Sequence, residues 1–326
     1  MKASSAIAVA HPNIALVKYW GKRDERLLLP HQSSLSVTLA PLSVEARVEL
    51  GGRRRSIRIN GREAGGDARA RVVKVLRAAG AGGARVETRG DFPAGAGLAS
   101  SAAAFAAIAV AARAAAGRPR DAAEASRLAR LGSGSACRSV EGGFCLWHRG
   151  QRPDGRDSYA EQLFPAEHWP GLRLVAAIVS RAEKEVSSRE GMLRTVRTSP
   201  YYRAWAADAE REVGVARRLV ARKDLEGLGE LAERNAWRMH ASALGAQPPL
   251  CYLLPATLEI ILGAREARAR GVPVWFTLDA GPNPVLLTDA AHEAAVVRLA
   301  RAAGAARVVR CRPGGDAQVV ESGSLP

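Results

Sequence analysis

Aromatic side chains are scarce in this chain: six Trp, five Tyr and five Phe among 326 residues. They are not interleaved with basic residues, and no nucleic-acid-binding motif accompanies them, which argues against a base-stacking surface. Cysteine is scarce as well. Cys137, Cys145, Cys251 and Cys311 have no CxxC spacing and no histidine at metal-ligand distance. That excludes a zinc module and a disulfide scaffold, so reduced thiols in a cytoplasmic protein and no metal-ligand set are expected. Long lipophilic runs are missing too. The uncharged stretch 92–112 approaches membrane-spanning length but is mostly Ala, Gly and Ser. Such residues gain little on transfer into lipid, so no membrane association is expected. The N-terminus carries one lysine and a short, mildly apolar run before His11-Pro12, too short for a signal peptide.

Acid is in deficit. Thirty-two Asp and Glu face forty-eight Lys and Arg, a net charge of +16. The arginines are scattered, as in Arg53-Arg54-Arg55, Arg217-Arg218, Arg268 and Arg301, and together with alanine they give the chain a compositional bias. A basic nucleic-acid-binding protein is one reading of the charge. A positive field that draws a small polyanionic substrate to its site is the preferred one, with no nucleic-acid partner. The length suits one large or two ordinary domains.

What is plentiful is glycine and alanine, concentrated in Pro93-Ala94-Gly95-Ala96-Gly97-Leu98-Ala99-Ser100-Ser101-Ala102-Ala103. Glycine allows close approach of a ligand to backbone amides. The alanine-rich run that follows favours a helix, whose free N–H groups and positive dipole end would face the turn. The pattern predicts an anion cradle, with a phosphate as the expected anion. It is not a P-loop, because no Gly-Lys-Ser/Thr follows.

Along the chain, 7–10, 35–39, 44–50, 56–60, 85–88, 144–147, 172–179, 274–278, 285–288 and 307–311 read as strands. Helices are expected at 67–79, in the alanine run, and at 121–131, 187–198, 203–222, 225–243, 255–270 and 290–303. Gly51-Gly52 reads as a hairpin signal between 44–50 and 56–60. The last ten residues read as a loose tail. The mixture predicts an α+β fold.

Four segments far apart in sequence carry candidate chemistry. These are His11 to Lys22, Pro93 to Ala103, Gly132-Ser133-Gly134-Ser135-Ala136-Cys137-Arg138-Ser139, and Thr277-Leu278-Asp279-Ala280-Gly281-Pro282-Asn283. Val186-Ser187-Ser188-Arg189-Glu190-Gly191-Met192 is a weaker fifth. An aspartate at a tight turn before Ala-Gly can approach a substrate closely and act as a base. An arginine among small residues can clamp a carboxylate through two parallel hydrogen bonds, which lysine cannot do. His240 reads as structural, and Trp20 and Trp147 as packing residues.

These segments, together with Leu29-Pro30, Ser33-Ser34-Leu35-Ser36-Val37-Thr38-Leu39 and Arg238-Met239-His240-Ala241, resemble the GHMP kinase superfamily and, within it, the diphosphomevalonate decarboxylases. The resemblance runs in order over nearly the whole chain. It implies a two-domain GHMP kinase fold, with a ribosomal S5 domain 2-like unit at 1–175 and a ferredoxin-like unit at 176–326. It implies ATP-dependent decarboxylation of mevalonate 5-diphosphate to isopentenyl diphosphate by way of 3-hydroxyl phosphorylation, in isoprenoid biosynthesis, with ATP and Mg²⁺ required and a homodimer expected.

By the same resemblance Asp279 and Arg138 are the catalytic pair. Tyr19, Lys22, Ser133, Ser135, Ser188, Arg189, Lys18 and Asn13 contact the substrate, while Gly95, Ala96, Gly97, Leu98, Ser100 and Ser101 hold the ATP phosphates. A related kinase that phosphorylates without decarboxylating is the alternative. Two positions depart from the family pattern. Gln32, after His31, stands where family members often carry Asn, and Pro93-Ala94-Gly95-Ala96 has an added glycine.

Overall fold

The computed structural model of the protein describes residues 4–51, 56–91, 100–182 and 184–320. The first half runs β1 (Ser5–Ala10), β2 (Asn13–Val17), β3 (Lys22–Asp24), β4 (Leu29–Pro30), β5 (Ser34–Thr38), β6 (Val44–Glu49), β7 (Ile57–Ile59) and β8 (Arg62–Glu63). It continues with α1 (Gly66–Ala78), β9 (Arg85–Gly90), α2 (Ser100–Ala115), α3 (Ala122–Gly132), β10 (Phe144–Trp147) and β11 (Ala160–Phe164). The second half runs β12 (Leu172–Ile178), α4 (Ser188–Thr198), α5 (Tyr202–Arg222), α6 (Leu225–Leu244), α7 (Pro255–Ala269), β13 (Trp275–Thr277), β14 (Val285–Asp289), α8 (Glu293–Ala302), β15 (Arg307–Cys311) and β16 (Gln318–Val320).

A six-stranded sheet, in the order β16-β1-β6-β9-β7-β8, carries α2 on its inner face. The inward positions of β1 and β6 include Ala8, Ala10, Ala46 and Val48, and they meet Ala102, Ala106, Ala109 and Ile108 of α2, all buried. Small side chains on both partners let helix and sheet approach closely, so close packing compensates for the small apolar area of each alanine. The strands 44–50 and 56–60 do not pair as the expected hairpin. β9 lies between β6 and β7, pairing antiparallel with one and parallel with the other. A glycine pair marks a turn but not which strands it joins. The chain end also differs from expectation, since β16 pairs antiparallel with β1, Ile7 opposite Val320. Three residues suffice because the β1 edge is already held by β6.

A second sheet, β11-β10-β5-β2, is the layer that holds the site. β2 and β5 are buried at every position, with α5 and α6 packed against them. β2 falls in a stretch that reads as loop, because burial on both faces erases the alternation that marks a half-buried strand.

The third sheet, β13-β14-β12-β15, is antiparallel throughout. Numbered within its own βαββαβ unit, the order is 2-3-1-4, the ferredoxin-like arrangement expected. β12 is apolar and buried along almost its whole length: Val175 and Ala177 on one face cluster with α7 and α8 residues, and Leu174, Ala176 and Ile178 on the other belong to the cluster that holds α5 and α6 residues. The expected division between 175 and 176 falls inside this strand.

α6 reaches its sheet through a glycine. A Cβ on Gly229 would lie 2.2 Å from Cγ of the buried Trp275. That ring cannot retreat, because Arg268 stacks over it at 5.4 Å and is itself paired with Glu233 at 2.8 Å. Alanine is the better helix former by about 1 kcal/mol, but overpacking typically costs about 1–3 kcal/mol. Gly229→Ala is therefore expected to destabilise the protein, read as a lower midpoint in urea unfolding.

Candidate active site

A cavity of about 520 Å³ is lined by residues from both halves of the chain. The candidate residues on its wall are Tyr19, Lys22, Ser100, Ser101, Ser133, Ser135, Arg138, Ser188, Arg189 and Asp279. Loops distant in sequence therefore do converge. Gly95, Ala96, Gly97 and Leu98 lie outside the described residues. Asn13 and Lys18 are not in the wall but directly behind it, each bonded to a wall residue.

The Asp279 end is built around an ion pair. Lys18, 1% exposed, follows β2 and reaches across to the turn after β13. Its Nζ donates to Asp279 Oδ1 at 2.7 Å and to the Ala15 carbonyl at 2.8 Å. Burial pushes this ammonium below its ordinary value, and Asp279 opposes the shift. The Asp279 side chain is 30% exposed, so the carboxylate is held on one side and open to the cavity on the other. Its carbonyl accepts a hydrogen bond from His240 Nε2 at 2.9 Å.

The Arg138 end is built by a 3-10 helix, Gly134–Ser139, that follows α3. Asn13 is its anchor. The Asn13 amide donates to Ser139 Oγ at 2.7 Å and to the Ser135 carbonyl at 3.1 Å, and its oxygen accepts from Arg138 Nε at 3.2 Å. Arg138 Nη1 donates to Ser34 Oγ at 2.5 Å. The guanidinium is 1% exposed, and burial lowers its proton affinity. Among the described residues no carboxylate lies within ion-pair distance of it. A buried guanidinium with fork positions left over suits a planar anion.

Tyr19 sits between these ends. Its ring packs on Trp147 at 4.7 Å, and its hydroxyl is buried without a protein partner. Burial raises its proton affinity well above the usual phenol value. Gly134 makes room for it, since a Cβ there would come within 2.6 Å of the hydroxyl. Lys22 Nζ donates to Glu25 at 2.7 Å. Ser100 and Ser101 open α2, and Ser101 Oγ lies 3.4 Å from Ser133 Oγ. This puts the N-terminus of a long helix, with its free amides and positive dipole end, on the cavity wall.

The Gln32 departure has a structural account. Its amide nitrogen reaches the Lys18 and Trp20 carbonyls at 3.4 and 3.3 Å. The side chain thus braces the segment between Lys18 and Lys22 from behind.

Residues not anticipated from sequence also face the cavity. Arg71 and Asp67 come from α1, and Arg189 pairs with Asp67 at 2.9 Å across the cavity mouth. Lys184 lies in the wall with its Nζ 3.4 Å from Ser188 Oγ, and burial lowers its proton affinity while Asp279 opposes the shift. Trp20, read as packing, lines the cavity as well. Lys184 stands close to the Ser187-Ser188-Arg189 segment, a proximity that could have flagged it. Asp67 and Arg71 sit on an ordinary amphipathic helix and carry no such signal. The lining thus holds Lys22, Arg71, Arg138, Lys184 and Arg189 against Asp67 and Asp279, an excess of cations suited to a polyanion.

Two family models cover the chain. The diphosphomevalonate decarboxylase-like N-terminal domain matches residues 10–160, and the mevalonate 5-diphosphate decarboxylase C-terminal domain matches 174–308. A diphosphomevalonate decarboxylase from Ganoderma lucidum is 35% identical over 328 residues, covering 92% of this chain and 82% of that protein. The chain belongs to the diphosphomevalonate decarboxylase family.

Solved structures agree with this placement. One, described as MDDEF in complex with MVAPP, AMPPCP and magnesium, superposes with a TM-score of 0.90 at 37% identity, covering 98% of this chain and all of that one. The mevalonate diphosphate decarboxylase of Staphylococcus aureus gives 0.90 at 33% identity, covering 98% of each chain. The two-domain GHMP kinase fold expected from the family is the fold observed.

His240 adds a pH signature. Burial, and secondarily the Lys18 charge, depress its folded value from 6.5 to about 4. Between those limits the unfolded chain binds the extra proton and the folded protein does not, so stability rises with pH. Acidification from pH 6.5 to 4 is expected to remove roughly 3 kcal/mol through this group. Urea unfolding across that range checks it, with His240→Gln expected to flatten the slope.

Proposed function

We propose that this protein converts mevalonate 5-diphosphate to isopentenyl diphosphate, carbon dioxide, ADP and phosphate, with ATP as phosphoryl donor and Mg²⁺ as its counter-ion. The observation that carries this reading is the pairing of two unlike groups on one wall. A carboxylate held by a buried lysine and a buried guanidinium without a protein carboxylate face the same cavity.

In this reading the substrate's 3-hydroxyl lies against Asp279, which orients it and accepts its proton as the oxygen attacks the γ-phosphorus. Lys18 keeps that carboxylate aimed. Arg138 holds the C1 carboxylate by its two oxygens and so fixes the bond that breaks. When phosphate departs from C3, the C1–C2 electron pair becomes the new double bond and carbon dioxide leaves. Tyr19, Lys22, Arg189, Ser133, Ser135 and Ser188 hold the diphosphate and neighbouring polar groups. Asn13 acts from behind, through Arg138 and Ser139. The α2 N-terminus with Ser100 and Ser101 receives the ATP phosphates, with Gly95, Ala96, Gly97 and Leu98 completing that loop. Among the described residues there is no group of three acidic, His or Cys side chains fit to hold a metal. Mg²⁺ would therefore be carried largely by phosphate oxygens and a serine hydroxyl, supplying charge neutralisation.

Support for two units, 1–175 and 176–326, comes from the separate family matches at 10–160 and 174–308. A homodimer is part of the same reading, testable by light scattering. So is a cytoplasmic location. No helix among the described residues is long and apolar enough to cross a membrane, and three of the four thiols are free and buried.

Incubation with ATP, Mg²⁺ and mevalonate 5-diphosphate is expected to release carbon dioxide and ADP in equal amounts. Accumulation of a phosphorylated acid without carbon dioxide would instead identify a kinase. Asp279→Ala is expected to lower kcat by about 10²–10⁴ while ATP-analogue binding persists, and activity within tenfold of the parent would remove Asp279 from its role. Arg138→Gln is expected to depress carbon dioxide release severely. Parent-like release there would count against the carboxylate clamp.

A further inference from the structure

The Lys18–Asp279 pair joins the two halves of the molecule, yet neither residue belongs to a strand or helix. Lys18 follows the end of β2, and Asp279 sits in the turn between β13 and β14. Something must set the distance between them, and both are tied from behind to one helix. On α6, Asn235 Oδ1 accepts from the Lys18 backbone amide at 2.8 Å, and His240 Nε2 meets the Asp279 carbonyl at 2.9 Å. Asn235 is in turn fixed by Glu212 of α5, its amide donating to Oε2 at 2.6 Å, and Arg234 pairs with Glu212 at 2.9 Å. Met239, between the two contacts, lines the cavity. The rest of the turn has its own ties: Asn283 Oδ1 accepts from the Val179 and Ser180 amides, and Thr257 Oγ1 donates to the Pro282 carbonyl. Those ties hold the downstream part of the turn. His240 holds the residue that carries the carboxylate.

We propose that α6 sets the geometry of the Lys18–Asp279 pair and that His240 is a positioning residue, donating through Nε2–H to the Asp279 carbonyl and so fixing where the carboxylate stands. The inference rests on the reading of Asp279 given above. A carbonyl can only accept, so the ring proton must sit on Nε2. His240 is 3% exposed and is not among the residues that line the cavity. It acts through Asp279, not on substrate. A displacement of about 1 Å at a reacting group can cost about 10²-fold in rate.

His240→Leu, which keeps volume and removes the donor, is expected to lower kcat by about 10- to 100-fold. KM for mevalonate 5-diphosphate and for ATP should stay close to parent values. His240→Gln, whose amide nitrogen reaches to a similar distance, should restore most of kcat. A folded Leu variant with parent-like kcat overturns the proposal, as does a Gln variant no better than Leu. If the Leu variant fails to fold, Gln is compared with the shorter His240→Asn. Gln active and Asn impaired supports the role, and equal activity overturns it.

A parent protein that releases no carbon dioxide sinks the functional reading before any variant is made. Imidazole nitrogen NMR still tests the bond in that case. An Nε2–H tautomer at neutral pH supports it, and an Nδ1–H tautomer overturns it.

Discussion

The arrangement of the site depends on one buried charge. Lys18 is enclosed on all sides, and removing an ammonium from water costs several kcal/mol unless partners replace the lost hydration. Asp279 and the Ala15 carbonyl are those partners. Because Lys18 directly follows β2 of the second sheet and Asp279 lies in the loop after β13 of the third, this ion pair can form only when the two halves of the chain are docked. The desolvated lysine therefore couples assembly of the molecule to assembly of the site. Thr277 reinforces the joint, its hydroxyl donating to the same Ala15 carbonyl at 2.8 Å.

Around that pair the chain has arranged charges that do not cancel. The cavity wall carries more cations than acids, and its acids are already engaged, Asp279 by Lys18 and Asp67 by Arg71 and Arg189. The excess positive potential fits two phosphate-bearing ligands together, and the overall charge of +16 adds a long-range component in the same sense. Most of the chain's arginines lie elsewhere, so the charge within the site itself comes from a handful of placed cations.

Much of this could be read from the sequence where local chemistry is self-contained. The long helices announce themselves by periodicity and by caps such as Asp121 and Asp224, whose side chains accept from Glu124 and Gly227 amides. The small-residue segments around Arg138 and Asp279 read as site because turns rich in Gly and Ser have little other use for those side chains. What stayed hidden depends on long-range pairing. β2 looked like loop because burial on both faces removes alternation. The glycine pair in the sequence carried no sign that β9 would lie between β6 and β7, and the short Gln318–Val320 edge is defined by its pairing with β1. The same holds within the site. Arg71 and Asp67 are surface-type residues on an amphipathic helix until the other half of the molecule arrives opposite them, and His240 is one more buried imidazole until the turn it touches is known.

Arg138 carries the argument a step further. A guanidinium almost wholly buried beside Ser34, Asn13 and the Trp147 ring, 5.9 Å away, keeps hydrogen-bonding positions on the cavity side that a ligand can fill. Under the proposed reaction the substrate brings a carboxylate to it and regains, in a site of low dielectric, a charge-assisted fork stronger than the same contact in water. A relative of the substrate without the carboxylate would leave that cation unpaired, and discrimination by an unfilled buried polar group is steep. Carbon dioxide release removes this same group. The product then retains only its diphosphate contacts, so the interaction that selects the substrate is the one the chemistry abolishes, and the site is biased toward releasing what it makes.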